Sequence, residues 1–401
     1  MNMNWNEFAI SAIGDVIGGG TPSTKHNEYY GDEIAWITPK DLSNFNGHYI
    51  SRGERSISQK GYDNSSAQMM PAGTVLFSSR APIGYVAIAK NELCTNQGFK
   101  SVVPHPEICD SEFLYYLLCY RKHDIEAIAS GTTFMEVSGT ALKNFVVHMP
   151  DISTQKKIAS VLSSLDQRIE GNNLINHNLE EQAKAIFKSW FVDFEPFQDG
   201  TFVDSELGQI PAGWRTGVLS EIADITMGQS PKGSSYNENS EGSVFYQGRA
   251  EFTDRFPTRR LFTTEPKRMV EAGDVLLSVR APVGDMNIAN ESCCIGRGLA
   301  AIHAKKDFSS FVFYTMQALK PELDKYNGEG TVFGCVNKDA LNTQKVIIPP
   351  DNIISDFEKI ASSLDQAYLV GFEENMRLAQ LRDALLPKLM SGEIDVSEVE
   401  I

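Results

Sequence analysis

The sequence predicts an α+β protein of pseudo-twofold design, in which two repeated mixed α/β domains alternate with two long helical segments. Three observations support this fold. The motif SSRAPIG at 78–84 returns as SVRAPVG at 278–284, SSLDQ at 163–167 returns at 362–366, and apolar residues follow a coiled-coil spacing after each domain. The shift between the copies is about half of the 401-residue chain. The chain therefore reads as two copies of one unit.

The composition is that of an ordinary soluble protein, with 42% hydrophobic and 22% charged residues. No apolar run approaches the roughly 18 residues that a membrane span needs. The N-terminus has no basic region followed by an apolar stretch, so we expect no signal peptide and a cytoplasmic location. The six cysteines form no C-x-x-C pair and have no histidine at metal-ligand spacing, so we expect free thiols.

The net charge of −16 argues against nucleic-acid binding over the whole surface, although a net charge can hide a local patch. Acidic residues are concentrated in 351–401. The segment 249–268 holds six basic and three acidic residues, which leaves room for a basic patch on an acidic protein.

Each domain is expected to combine short strands with helices. GTVLFSS at 73–79 is bounded by glycine and predicts a strand, and 111–129 predicts a helix with Ser111 as its N-cap. Turn-rich loops without an apolar period occupy corresponding places at 18–27 and 228–242. The predicted boundaries are 1–150 for the first domain, 151–197 for the central spacer helix, 198–349 for the second domain, 350–395 for the C-terminal spacer helix and 396–401 for an acidic tail.

The two spacer segments carry apolar seams at alternating spacings of four and three residues. The central seam is Ile158, Leu162, Leu165, Ile169, Asn172, Asn176, Leu179, Ala183, Ile186 and Trp190, and the C-terminal seam is Phe357, Ala361, Leu364, Tyr368, Gly371, Asn375, Leu378, Arg382, Leu385 and Leu389. Each seam is the obvious partner of the other. A polar residue such as Asn176 or Asn375 costs stability and can define the register. The alternative is a loosely packed or hydrated middle.

Motifs for catalysis are absent from the sequence. IIPPD at 347–351 lacks both the leading Asp or Asn and the aromatic residue of the amino-methyltransferase motif, and no glycine-rich cofactor loop follows a strand. Pro266, between Glu265 and Lys267, would break the central strand that a nuclease metal site needs. We therefore expect no catalytic residue, no cofactor and no metal.

Taken together, these features resemble the specificity subunit of type I restriction–modification systems, over essentially the whole chain. The resemblance rests on an ordered set of segments: GGGTPSTK at 18–25, IAWITPKDL at 34–42, SSRAPIG at 78–84, SGTTF at 130–134, ISTQKKIASVLSSLDQRI at 152–169, FKSWFVDFEPF at 187–197 and LGQIPAGWRTGVLSEIA at 207–223. Any one of these segments alone is weak evidence for the resemblance, whereas the ordered set together with the duplication is specific to the family.

The resemblance implies that each domain is a target recognition domain that reads one half of a split DNA site. It implies that the two helices pair antiparallel, hold the domains apart and dock two methyltransferase subunits, that endonuclease subunits join the complex, and that this chain is not itself an enzyme. The second seam departs from the pattern at Gly371 and Arg382, which weakens its expected packing. A helix over 153–191 spans about 58 Å, or about 17 base pairs.

The duplication separates candidate DNA contacts into two kinds, because residues identical in both copies cannot distinguish two half-sites. Arg80 and Arg280 are shared, so each is either a structural brace or a phosphate contact. Gln97 matches Arg297, and Gln suits adenine where Arg suits guanine, with a solvated turn as the alternative. The other candidates are Thr24, Lys25, His26, Asn27, Thr38 and Lys40 in the first domain and Ser234, Tyr236, Gln247, Arg249, Arg255, Arg259 and Arg260 in the second, the last three as phosphate contacts.

Two other functions are open at this point. The duplicated domains could bind proteins instead of DNA, as an interaction scaffold. The chain could also be an enzyme such as a fused methyltransferase, against which the missing cofactor loop argues. A steep loss of binding with rising salt would distinguish DNA recognition from protein binding.

Overall fold

The computed structural model describes residues 5–43, 45, 47–131, 135–327 and 334–399. The chain forms two units, Met1–Leu174 with Phe372–Ile401 and Ile175–Gly371. The segment SGTTF and the acidic tail lie partly outside the described residues, at 132–134 and 400–401. The counterpart of SGTTF in the second copy, EGTVF at 329–333, lies wholly outside them.

The first unit contains ten strands and six short helices within its described residues, followed by a long helix. Its strands β1 to β10 are Asn6–Ala9, Gly14–Gly18, Tyr30–Ile37, Tyr49–Ile50, Ser56–Ile57, Val75–Phe77, Val86–Ala89, Cys94–Thr95, Lys100–Pro104 and Val146–Met149. Its helices α1 to α6 are Ile10–Ile13, Pro39–Leu42, Gln59–Asp63, Ser111–Tyr120, Lys122–Ala127 and Gly139–Lys143, and α7 is Ile152–Phe191. The sheets have the orders β2-β9-β6-β7-β4 and β5-β3-β8, and β1 pairs with β10.

The second unit repeats this plan. Its strands β11 to β23 are Phe202–Ser205, Gly208–Pro211, Arg215–Val218, Ala223–Met227, Tyr236–Asn237, Ser243–Tyr246, Phe262–Thr263, Met269–Val270, Val275–Ser278, Met286–Ile288, Cys293–Ile295, Leu299–Ala304 and Lys345–Ile348. Its short helices α8 to α11 are Leu219–Ile222, Ser309–Ala318, Lys320–Asp324 and Lys338–Asn342, and α12 is Asp351–Met390. The sheets have the orders β14-β22-β19-β20 and β15-β17-β16-β21-β18.

The two units share strand order and register. Strands β2-β9-β6-β7 of the first sheet correspond to β14-β22-β19-β20 of the second. Val75 pairs with apolar residues on both of its neighbouring strands, and Val275 does the same. A parallel pair joins β3 to β8 at Cys94 and β16 to β21 at Cys294, so the two aligned cysteines occupy one structural position. The duplication predicted from the sequence is therefore a duplication of topology.

Helices α4 and α9 cover the sheets with apolar faces that include Phe113 and Phe311, both buried. The helix α4 begins at Ser111 as predicted, but its predicted N-cap is wrong by one residue. Asp110, rather than Ser111, is the N-cap, because its carboxylate accepts the Phe113 N–H at 3.0 Å. The helix ends at Tyr120 because Arg121 leaves helical geometry with a ψ of 10°, and the chain continues as the separate helix α5.

The long helices α7 and α12 run antiparallel to each other in both units. In the first unit, Asn172 contacts Asn375 while Asp166, earlier in α7, contacts Arg382, later in α12. In the second unit, Asn176 lies against Gly371, while Phe187, later in α7, has its ring 5.7 Å from that of Phe357, earlier in α12. The predicted fold class, two repeated mixed α/β domains with paired long helices, is confirmed. Searched over the described residues, the chain has no helix long and apolar enough to cross a membrane.

Candidate nucleic-acid interface

The repeated R-A-P loop has the same closed shape in both domains. The Ser78 hydroxyl donates to the Pro82 carbonyl at 2.8 Å, and Ser278 donates to Pro282 at 2.7 Å. Gly84 closes the loop with a φ of +90°, and the matching glycine of the second domain has a φ of +98°, a conformation that side chains rarely adopt. The residues that are identical in the two copies are thus those that define the backbone conformation of the loop.

Each R-A-P loop lies between two other segments of its domain. The Ser79 N–H donates to the Gly98 carbonyl at 2.7 Å, and the Ser79 carbonyl accepts the Val137 N–H at 2.9 Å. Val279 makes both contacts in the second domain. Three segments therefore meet at one place in each domain, which we call the three-segment site. They are the R-A-P loop, the turn with the sequence Q-G or R-G, and the strand-like segment that follows the repeated G-T motif.

Arg80 is held within the three-segment site of the first domain by an acid. Its Nε lies 2.9 Å from Glu136 Oε2, and Lys100 Nζ lies 3.3 Å from the other carboxylate oxygen. Burial acts to raise the pKa of Glu136, but the hydrogen bonds from Arg80 and Lys100 hold it below its ordinary value. Of the two predicted roles for Arg80, a brace or a phosphate contact, the ion pair supports the brace.

Arg280 has a different neighbour in the second domain. It forms the same isolated antiparallel bridge as Arg80, but the residue across from it is Cys335, which is exposed. No ion pair joins Arg280 to any described residue. The shared arginine therefore carries an available charge in one copy and a neutralised charge in the other.

The aligned pair Gln97 and Arg297 is exposed in both domains, on the turn of the three-segment site. The Gln97 side chain is hydrogen-bonded by the Thr21 hydroxyl, which belongs to the turn-rich loop. The Arg297 backbone N–H donates to Ser230 Oγ at 3.3 Å in the matching loop of the second domain. The turn-rich loops predicted to correspond are thus brought to equivalent places.

The other loop candidates are mostly exposed. Thr24, Lys25, His26, Asn27 and Ser234 are exposed, and Lys25 has no acidic partner among the described residues. His26 Nδ1 lies 3.5 Å from a Glu28 oxygen. Tyr236 is half-buried, with its hydroxyl donating to the Pro231 carbonyl at 3.1 Å.

A second set of candidates begins at Thr38 and Gln247, which directly follow the strands β3 and β16. Thr38 is tied to Asp41, whose Oδ2 accepts both its N–H and its hydroxyl at 2.7 Å, and Lys40 pairs with Glu54. Gln247 is exposed. Arg249 is also exposed, and it pairs with Asp285.

The structure contradicts the prediction that Arg255 contacts phosphate. Its side chain is 1% exposed and pairs with Asp365 of α12. Its guanidinium carbon lies 4.7 Å from the ring centre of Phe313 and 4.9 Å from that of Tyr368. A cation enclosed by an aspartate and aromatic faces cannot reach a phosphate, so Arg255 is a structural residue.

The two remaining arginines of the predicted basic cluster are exposed but paired. Arg259 pairs with Glu291, and Arg260 pairs with the buried Glu251. The Arg259–Glu291 pair is of the exposed kind that contributes about 0–1 kcal/mol, so a phosphate could replace Glu291, whereas Arg260 is held by a buried carboxylate. The cluster is therefore less basic than its sequence indicates.

Every predicted seam residue of α7 and α12 is buried or half-buried. These include the predicted packing positions Ile158, Leu162, Leu165, Ile169, Asn176, Leu179, Trp190, Leu364, Tyr368, Asn375, Leu378 and Leu385. In the first unit Asn172 Nδ2 donates to Asn375 Oδ1 at 2.9 Å, and Asn375 donates to Asn173 at 2.7 Å. In the second unit Asn176 lies against Gly371, and its buried Oδ1 has no hydrogen-bond partner among the described residues.

Sequence reasoning missed the residues that decide the charge of the three-segment sites. Glu136 stands opposite Cys335 in the aligned repeats, and Lys100 stands opposite Ala300. These differences are visible in the aligned sequences, but only the structure shows that Glu136 contacts the shared arginine and that Lys100 contacts Glu136. In the described parts of the chain, no group of three or more His, Cys, Asp and Glu side chains is placed to hold a metal ion.

Two copies of one mixed domain, each presenting polar loops around a three-segment site and joined by paired long helices, define a duplicated recognition scaffold. A family model described as the type I restriction modification DNA specificity domain matches residues 2–181 and 211–381. The chain belongs to this family of type I restriction–modification specificity subunits, as its ordered motifs predicted.

Individual relatives match over nearly their whole length. The type I restriction enzyme MjaIX specificity subunit of Methanocaldococcus jannaschii is 36% identical, over 99% of this chain and 95% of that protein. The putative MjaX specificity subunit of the same organism is 31% identical, over 98% and 94%. The crystal structure of the type I restriction–modification S subunit from M. genitalium has the same fold, with a TM-score of 0.63 and 19% identity over 97% of this chain and 96% of that chain.

Proposed function

We propose that this chain is the DNA sequence-recognition subunit of a type I restriction–modification complex, and that each domain reads one half of a bipartite site. The observation that carries the proposal is that two copies of the specificity domain share a backbone plan but present different side chains. The loops at 24–27 and 234–236 and the turns at 97 and 297 occupy matching places with different residues. Two similar scaffolds with different surfaces suit two different half-sites.

Within this proposal, the exposed loop residues contact the DNA. Lys25, His26, Asn27 and Gln97 act in the first domain. In the second domain the candidates are Ser234, Tyr236, Gln247, Arg249, Arg259, Arg260, Arg280 and Arg297. Thr24, Thr38 and Lys40 complete the first set. Arg80 is paired with Glu136 and supports the shape of its loop without contacting the DNA.

The partners are expected to dock on the spacer helices, which expose apolar side chains. Leu174, Met376 and Leu381 are exposed in the first unit, and Ile175, Ile360 and Val370 are exposed in the second. Apolar side chains on a helix surface are stabilised when a partner covers them. We propose two methyltransferase subunits at these surfaces, with endonuclease subunits joining the complex and this chain acting without catalytic residues of its own.

Methylation mapping of the host genome tests the proposal. The genome should carry a two-part adenine methylation motif that disappears when this gene is deleted and returns when it is restored. Replacing residues 228–242 with a different loop should alter one half of the motif and leave the other. An unchanged methylation pattern after deletion would contradict the proposal.

A further inference from the structure

The second domain contains an open cleft in which two arginines have no acidic partner among the described residues. Arg280 and Arg297 line this cleft of about 390 Å³ together with Met227, Cys335 and Asn337. Neither guanidinium forms an ion pair with any residue that the structure describes. Other arginines proposed as DNA contacts, such as Arg249 and Arg259, are neutralised by acids. The cleft therefore presents two guanidinium groups that no described acid neutralises.

The same place in the first domain is occupied differently. Arg80 is paired with Glu136, which also binds Lys100, and Gln97 stands where the second domain has Arg297. An anion that approached Arg80 would have to displace the Glu136 carboxylate and would be repelled by it. The two copies therefore differ at equivalent positions in the charge that they offer a ligand.

We propose that the Arg280–Arg297 cleft binds a DNA backbone phosphate and that the matching site of the first domain does not. This inference deepens the proposed function and rests on it. Two guanidiniums supply planar forks of N–H donors that fit phosphate oxygens, and no ion pair with a described residue has to be broken first. Arg297 is thereby assigned to a phosphate of the DNA backbone, and a contact of Arg297 with the edge of a guanine base is the alternative that the test can detect.

The test uses the full chain and a fluorescent duplex of random sequence, because phosphate contacts are independent of sequence. Cys335→Glu places in the second domain the acid that neutralises Arg80, and Glu136→Cys is the matched change in the first. We expect C335E, R280A and R297A each to weaken binding about 5- to 10-fold at low salt. Each should also reduce the slope of log affinity against log salt by about one phosphate contact, which is about 0.9.

The first-domain variants provide the control. Arg80→Ala should leave binding of the random duplex within about twofold of the original, and E136C should leave it unchanged or strengthen it. Wild-type binding of the random duplex by R280A and R297A would overturn the proposal. A loss confined to the methylated target sequence would also overturn it, in favour of guanine reading by Arg297.

Cys335 supplies a local readout that does not depend on DNA affinity. It is exposed, while Cys94, Cys109, Cys293 and Cys294 are buried. The two guanidinium groups should attract an anionic reagent, so Cys335 should react several-fold faster with a dianionic aromatic disulfide, relative to its reaction rate with a neutral maleimide. The substitution R280A should remove this preference for the anionic reagent, and high salt should do the same. Loss of the reaction in Cys335→Ser would show that the modified thiol is Cys335.

The two readouts separate this inference from the proposed function. A lack of preference for the anionic reagent would overturn the inference, whatever the methylation map shows. A clear anion preference without protection of Cys335 by the duplex at low salt would rule out DNA phosphate as the ligand. In either case, a two-part methylation motif lost on deletion of the gene would still support DNA recognition.

Discussion

The two copies anchor their domains to the long helices through the same aspartate but with different cations. Asp166 and Asp365 are the aspartates of the repeated SSLDQ motif. Each accepts a hydrogen bond from a tyrosine of the covering helix, Tyr116 at 2.6 Å and Tyr314 at 2.8 Å. The carboxylate and the phenol are therefore the common part of the anchor.

The first copy neutralises its aspartate from two directions. His48 Nε2 lies 3.0 Å from Asp166, and Arg382 of α12 donates to it at 2.6 Å. Burial acts to raise the pKa of Asp166, but hydrogen bonds from His48, Tyr116 and Arg382 hold it below its ordinary value. Arg382, which appears in the sequence as a defect in the second seam, is thus a partner of a buried acid.

The second copy takes its cation from the domain instead of from the facing helix. Ala183 of α7 stands at the position that matches Arg382, so no charge can come from there. Arg255 fills this role from within the domain, and it is buried against aromatic rings. Both copies therefore retain the buried aspartate, but the residues that neutralise its charge differ between the two copies.

The largest effect is expected where one cation carries the whole anchor. Arg255→Ala leaves Asp365 in a low-dielectric site without its positive partner, and we expect the free energy of unfolding of the second unit to fall by about 3–5 kcal/mol. Denaturant unfolding, with hydrogen exchange of β19 as a local measure, checks this.

Arg259→Ala is the control, because Arg259 is exposed and should change stability by less than about 0.5 kcal/mol. Equal effects of the two substitutions would show that burial of Arg255 contributes nothing.

A smaller effect is expected where the anchor is shared. Arg382→Ala removes one of three donors to Asp166, so we expect a loss of about 2 kcal/mol in the first unit, measured by exchange of β6. Arg377→Ala, on the exposed surface of the same helix, should be nearly silent. A loss as large as that of Arg255→Ala would contradict shared neutralisation.

The middle of the helix pair offers a comparison of opposite sign. Asn172→Leu removes hydrogen bonds to Glu374 and Asn375 and should destabilise by about 1 kcal/mol, whereas Asn176→Leu removes a buried oxygen without a described partner and should stabilise by about 1 kcal/mol. Thermal and denaturant unfolding would measure both. The same sign for both variants would refute the difference between the two asparagines.

The smallest expected difference is in pH dependence. The lowered pKa of Asp166 gives stability that is present above its unfolded pKa and is lost as pH falls through the folded pKa. Burial raises the pKa of Glu358, which accepts the Ser310 and Phe311 N–H groups, so its contribution is fully present below the unfolded pKa and is lost as pH rises through the folded pKa.

Unfolding between about pH 6 and pH 3 should therefore show a smaller acid loss in Asp166→Asn and a larger one in Glu358→Gln than in the original chain. Parallel curves for all three proteins would contradict these assignments. Comparing each variant with the original chain isolates one carboxyl group from the many others that titrate in this range.

The sequence was informative where the signal is local or repeated. The seam positions of α7 and α12 follow from helical periodicity, which depends only on residue spacing. The R-A-P loop was recognisable because its serine, proline and glycine specify a backbone shape within seven residues. Long-range charge pairing was not recognisable, since Arg255 and Asp365 are 110 residues apart.

By itself, then, the sequence determined the duplication, the fold class and the family, because each depends on patterns written twice along the chain. Only the tertiary structure decided which arginines are free, since the charge that a guanidinium offers depends on the acid folded against it. Arg80 and Arg280 have the same motif around them, but Glu136 faces one and Cys335 faces the other. The same residue is consequently a brace in one domain and an available cation in the other.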